Sequence, residues 1–175
     1  ISGRDHEAPA DAGADNVYDV IVEASDGAGG TDSQAIAVSV TPVNEAAPVI
    51  TSNGGAATAA ISRAENTSAV TTVTATDADL PAQTITYSIA GGADAARFTI
   101  NASSGALSFV AAPDYEAPAD AGANNVYDVI VQASDGTLTD TQAIAVTVTP
   151  ANDNAPVISS NGGGATAAVS VAENS

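Results

Sequence analysis

The chain has no lysine, no cysteine, no methionine and no tryptophan. Arg4, Arg63 and Arg97 carry all its permanent positive charge, against 21 acidic residues, and the net charge is −18. With so few cations nothing can neutralise phosphates, so nucleic acid is excluded as a partner, as is an anionic membrane surface. Without cysteine there is no disulfide framework and no thiolate metal site. His6 is the only histidine, so zinc is nearly excluded as well. A cation that takes oxygen ligands, such as calcium, remains open. Aromatic residues are scarce, four Tyr and two Phe, so a core must be built mainly from Val, Ile and Ala. No apolar run approaches the roughly 18 residues that a membrane-spanning helix needs. No signal-peptide pattern is visible, and the chain reads as starting in mid-sequence.

What is present is a repeat. EAPADAGADNVYDVIVEASDG at Glu7–Gly27 returns as EAPADAGANNVYDVIVQASDG at Glu116–Gly136. The stretch Thr31–Gly55 returns at Thr139–Gly163, and ATAAISRAENTS at Ala57–Ser68 returns as ATAAVSVAENS at Ala165–Ser175. The step is 108 residues between Pro42 and Pro150, and 109 between Glu7 and Glu116, because one glycine-rich turn loses a residue. A unit this long is a whole domain and not a solenoid turn. Residues 46–154 then form one complete unit, 1–45 the second half of a preceding unit, and 155–175 the start of a following one. The two end pieces cannot make a normal domain together, because they lack any counterpart of Ala69–Ala112.

Within the complete unit the pattern is β throughout. Val70–Thr76 is rich in β-branched residues and alternates; Ile85, Tyr87 and Ile89 share one face. Phe98 with Ile100, and Leu107 with Phe109, make short strands around an Asn101–Gly105 turn. Val126–Ser134 and Thr139–Thr149 form a final hairpin, and Val49-Ile50 with Ala60–Arg63 supplies a first strand split at Asn53–Gly55. About seven short strands at this spacing predict an all-β, Greek-key, Ig-like sandwich. Tyr18 and Tyr127 alternate with Val and Ile and are expected in cores, while His6, Asp120, Asp128 and Asp140 read as surface residues.

The acids cluster at strand ends. AENTS, DADLP, DYE, ASDG and NDNAP, in that order, resemble the PEN, DAD, DRE, A-x-D-x-G and DxNDNxP motifs of cadherin repeats. The alanine-rich, lysine-free flavour is most similar to the cadherin-like repeats of large secreted bacterial adhesins. The resemblance implies tandem cadherin-like sandwiches with Ca2+ at the joints between them. For the N-terminal joint it implies ligands at Asp5, Glu7, Asn44, Glu45, Asp77, Asp79 and Asp135. For the C-terminal joint it implies Glu65, Asp114, Glu116, Asn152, Asp153 and Asn154. There are departures: the first aspartate of the linker motif is Pro42 or Pro150, and the first linker ends in Glu45-Ala46. His6 and Tyr115 stand where the family often has arginine. The N-terminal joint is expected to bind fewer ions or bind them more weakly, yet it keeps more of its neighbours within this sequence.

The implied function is a calcium-binding structural and adhesive repeat, not an enzyme, in an extracellular rod at the cell surface. Its partners would be neighbouring repeats, identical chains, or a host or matrix surface. No Ser–His–Asp arrangement, phosphate-binding loop or acid pair in a pocket suggests catalysis. The alternative is a passive Ig-like spacer or a carbohydrate-binding sandwich without a specific calcium site. The small number of aromatics argues against sugar platforms.

Overall fold

The computed structural model describes residues 3–173. Every long element is a strand. An antiparallel hairpin of β1 (Val17–Ser25) and β2 (Thr31–Ser39) comes first. The sandwich follows with β3 (Val49–Ile50), β4 (Thr58–Ala64), β5 (Ala69–Thr72), β6 (Ala75–Thr76) and β7 (Thr86–Gly91). It closes with β8 (Phe98–Ile100), β9 (Ala106–Phe109), β10 (Val126–Ser134) and β11 (Thr139–Thr149). These nine segments are seven strands, two of which are broken. β3 and β4 are one strand interrupted by a 3-10 turn at Ser52–Gly54, where Asn53 and Gly55 both take positive φ. β5 and β6 are the second, which the sequence pattern predicts as unbroken but which parts at Val73-Thr74.

The break in the first strand lets it serve both layers. β3 pairs antiparallel with β6, while β4 crosses over and pairs in parallel with β11. One sheet then runs β4-β11-β10-β7, and the facing one β5-β9-β8. The result is an all-β, seven-stranded sandwich. Alternation does the packing: Tyr127, Val129, Val131 and Ala133 of β10 and Ile144, Val146 and Val148 of β11 point inward. Val70, Val73, Leu107 and the rings of Phe98 and Phe109 meet them. Phe98 and Phe109 stack at 4.7 Å, and Tyr127 meets Phe109 edge-on at 5.1 Å. Half of the scarce aromatics are thus spent at the centre; Tyr87 and Tyr115 pack half-buried against its margin, and Tyr18 lies under the Arg4 guanidinium.

Beside this core the end pieces behave differently from their copies. β1 and β2 repeat the pairing of β10 and β11 residue for residue. Yet Val20, Val22, Ile36 and Val38 lie exposed, where Val129, Val131, Ile144 and Val146 are buried. Residues 165–173 copy β4 and form no strand. Asn174 and Ser175, the end of the second AEN motif, lie outside the described residues.

Candidate metal centres at the two joints

At each linker short acid-bearing turns converge, three at the N-terminal one and two at the C-terminal one. At the N-terminal joint, Asp5 Oδ1 accepts from the amides of Glu7 and Ala8, a local turn that fixes the DHE segment. The carboxylates of Asp5, Glu7 and Glu45 each bring an oxygen within 4.8 Å of the others. Glu7 Oε1 also accepts from the amide of Leu80, 3.1 Å away in the loop that carries Asp77 and Asp79. Asp79 is 2 % exposed and accepts from the amides of Glu45 and Ala46, so it fastens the linker to the complete unit. Asp77 Oδ1 takes the Asp79 amide at 3.0 Å. Asp135 Oδ1 takes the amides of Thr137 and Leu138, both at 2.7 Å. Partial dehydration pushes the Asp135 carboxyl up, but those amides and the neighbouring Asn44 side chain outweigh it and hold it below the usual range.

Among the implied ligands here, three acceptor atoms are buried with no hydrogen-bond partner among the described residues: Asn44 Oδ1, Asp77 Oδ2 and Asp135 Oδ2. Buried oxygens left unpaired are costly. These belong to carboxylates and an amide carbonyl, the donor set that a hard oxygen-seeking cation takes. The residues present therefore fit calcium.

The C-terminal joint repeats the design. Asp114 Oδ1 accepts from the amides of Glu116 and Ala117, as Asp5 does in the earlier copy. Glu65, Asp114 and Glu116 form a second cluster within 4.8 Å. Glu65 is 2 % exposed; one oxygen takes the Tyr115 amide at 2.7 Å and the other the Ala151 amide at 2.6 Å. Partial dehydration pushes the Glu116 carboxyl above the usual range, its own amide pulls it back, and the charges of Glu65, Asp153 and Asp114 push it further up. Asp153 thus lies in the field of the cluster. Its oxygens are held by the side chains of Asn66, at 2.6 Å, and Asn154, at 3.0 Å. Asn152 is exposed in the linker.

Several residues stand apart from the sequence reading. Asp120 is buried, not on the surface, and accepts from the amides of Asn124 and Asn125. Asp140 accepts from the amide of Ile50 at 2.8 Å and so ties β3 to the sandwich. Both carboxylates replace backbone partners that a loop cannot supply, a need invisible without the fold. His6 is half-buried, with Nδ1 3.5 Å from Glu7 Oε1. Gln83 Oε1, in the loop after Asp77 and Asp79, is a further buried acceptor without a partner. Its only sequence signal is an amide soon after the DAD motif. Asp94, buried, accepts from the amides of Ala121 and Asp128 and was likewise unmarked in the sequence.

A family model for the cadherin domain matches residues 58–149. The chain is 28% identical over 163 residues to cadherin-related family member 3 of Mus musculus, covering 90% of this chain and 19% of that protein. The chain thus spans about a fifth of that relative's length. Among solved structures, protocadherin gamma B2 extracellular cadherin domains 3–6 superpose with a TM-score of 0.60 at 26% identity, over 89% of this chain and 37% of that one. Protocadherin gamma B7 extracellular cadherin domains 1–4 give 0.62 at 23% identity, over 86% and 34%; that likeness speaks to the fold alone. With the sandwich, the order of its acid-bearing turns and the family model in agreement, this chain belongs to the cadherin family.

Proposed function

We propose that this chain is a calcium-stiffened segment of an extracellular adhesive rod. Residues 46–154 are one complete repeat, 1–45 the end of a preceding repeat and 155–175 the beginning of the next. At the N-terminal joint Asp5, Glu7, Asn44, Glu45, Asp77, Asp79 and Asp135 would hold the ions. At the C-terminal joint Glu65, Asp114, Glu116, Asn152, Asp153 and Asn154 would hold them. The role is mechanical and adhesive and needs no catalytic group. The lysine-free, alanine-rich, near-identical repeats support placing it among large secreted adhesins of bacteria. Its partners are then neighbouring repeats, identical chains, or a host or matrix surface.

The observation that carries this reading is the set of unpartnered buried oxygens on Asn44, Asp77 and Asp135 around one linker. Bound calcium supplies the positive charge that turns repulsion among these acids into attraction. The protein's part is to hold the oxygens in place. Asp5, Asp114 and Asp135 spend one oxygen on backbone amides of their own turns, which orients the other. Asp79 and Glu65 spend both on amides, fastening linker to domain while keeping spare lone pairs. Extracellular sites of this kind have dissociation constants near 10⁻⁴–10⁻³ M. At millimolar calcium each would stabilise its joint by roughly 0.4–1.4 kcal/mol.

Calorimetric titration tests it. The wild-type chain should give calcium-binding heat, and Asp135→Asn should weaken it about ten-fold by removing one charged ligand. No heat from the wild-type chain would leave a passive spacer as the answer.

A further inference from the structure

The dipeptide Glu65-Asn66 makes five hydrogen bonds that tie β4 to β11, to the Asp114–Glu116 turn and to the linker. The Glu65 amide donates to the carbonyl of Thr149 at 3.0 Å, and the Asn66 amide to that of Pro113 at 2.9 Å. The Glu65 carboxylate takes the amides of Tyr115 and Ala151. The Asn66 side-chain amide donates to Asp153 Oδ2 at 2.6 Å. Residues 151–154 are exposed, and among the described residues the Asp153 backbone is held by one long bond, from its amide to the Ala151 carbonyl at 3.2 Å. Packing therefore does not decide where the Asp153 carboxylate points. Two side-chain amides do, and that of Asn154 moves with the linker.

We propose that Asn66 is a positioning residue for the metal site: its side-chain amide clamps Asp153 of the linker beside Glu65, Asp114 and Glu116. The inference rests on the calcium reading above and adds a residue that is not itself a ligand. Two properties suit asparagine to the place. The turn requires φ of +62° at residue 66, which Asn adopts more readily than other residues bearing a side chain. Its donor is also neutral. An arginine or lysine would hold Asp153 equally well but would cancel the charge that a cation needs; an amide orients the carboxylate and leaves its charge intact. Glycine satisfies the backbone and lacks the clamp, so Asn66→Gly separates the two roles.

The test is a residue-resolved NMR titration of the 175-residue chain with calcium chloride. In Asn66→Gly, the midpoint read at Glu116 and Asp153 should rise about ten-fold, the scale of one charge-assisted hydrogen bond. The midpoint read at Asp77 and Asp135, in the other joint, should stay where it is. An unchanged midpoint at Glu116 and Asp153, or an equal shift at both joints, overturns the clamp. Absence of calcium-dependent shifts in the wild-type chain overturns the calcium reading beneath it. Asn66→Asp keeps the shape but cannot donate. In chelator it should speed amide exchange at Asp153 several-fold, and exchange at the wild-type rate would also overturn the proposal.

Discussion

A carboxylate in this chain has one of two employments, and its hydrogen bonds tell which. Asp120 is itself buried beneath an exposed loop and has both oxygens engaged by that loop's amides, from Asn124 and Asn125. Partial dehydration pushes its carboxyl up, but those amides outweigh it and hold the group below its usual value of 3.8. A depressed carboxylate contributes stability that is fully present above the unfolded value and is lost as pH falls through the folded one. The fold is therefore expected to lose stability on acidification below about pH 4. Asp120→Asn should flatten that loss and lower stability at neutral pH by about 1–2 kcal/mol, as read by urea unfolding at several pH values. Glu116 has the opposite sign: its carboxyl is raised, so its term favours the fold below about pH 4.5 and fades as pH climbs through the raised value. Carboxyls such as Asp77 and Asp135, with one oxygen tied and the other buried alone, are the kind that a cation completes.

At the level of elements, two nearly identical segments have different fates. ATAAISRAEN gives β4, while ATAAVSVAEN at residues 165–174 gives no strand among its described residues. The β4 segment is a strand because β11 lies alongside it in parallel, whereas the described residues of the other copy take no part in a sheet. The SNG turn just before each copy is the same: Asn53 and Asn161 take φ of 54° and 52°. A turn is closed by its own residues and survives without a domain, whereas a strand needs another chain segment to pair with. A second element-level feature is the hold of β9 on the β5–β6 break. The Val73 amide donates to the Gly105 carbonyl at 2.8 Å, and Gly105 has φ of +69°. A Cβ at Gly105 would lie 2.0 Å from the Val73 carbonyl oxygen. Gly105→Ala is expected to cost roughly 2–4 kcal/mol, seen as a lower urea midpoint with an unchanged slope.

For the whole molecule, the proposed rod would owe its mechanical behaviour to the two linkers more than to the sandwich. The sandwich is fixed by an apolar core and by ladder hydrogen bonds. The N-terminal joint is held among the described residues by a few long bonds, from Glu45, Ala46 and Leu80 to carboxylates at 3.1–3.3 Å. With a net charge of −18 and acids gathered at the joints, removing a bridging cation sets like charges against one another. Chelation should therefore broaden the interatomic distance distribution in small-angle scattering, while strand content by circular dichroism stays constant. An identical scattering profile with and without chelator would contradict a calcium-stiffened joint.

Much of this was legible in the residues. Alternation at Val126–Thr149 placed the core face, and the 108-residue step placed the repeat. The order of AEN, DAD, DYE, ASDG and NDN pointed to the family, because period-two burial and turn chemistry are local properties of a chain. The break at Val73-Thr74, the crossing of the first strand between sheets, and the burial of Asp94 and Asp120 were not legible. Each depends on which backbone groups lack a partner once the sheets have met. The same holds at the joints. The order of the acid-bearing motifs, through its resemblance to cadherin repeats, implied which oxygen-bearing side chains belong to the two linkers. Only the tertiary structure decided which oxygens are spent on backbone amides, which are buried alone, and that Asn66 reaches Asp153 across 87 residues of sequence. Hydrogen-bond partners distant in sequence are chosen by packing, and no local pattern records them.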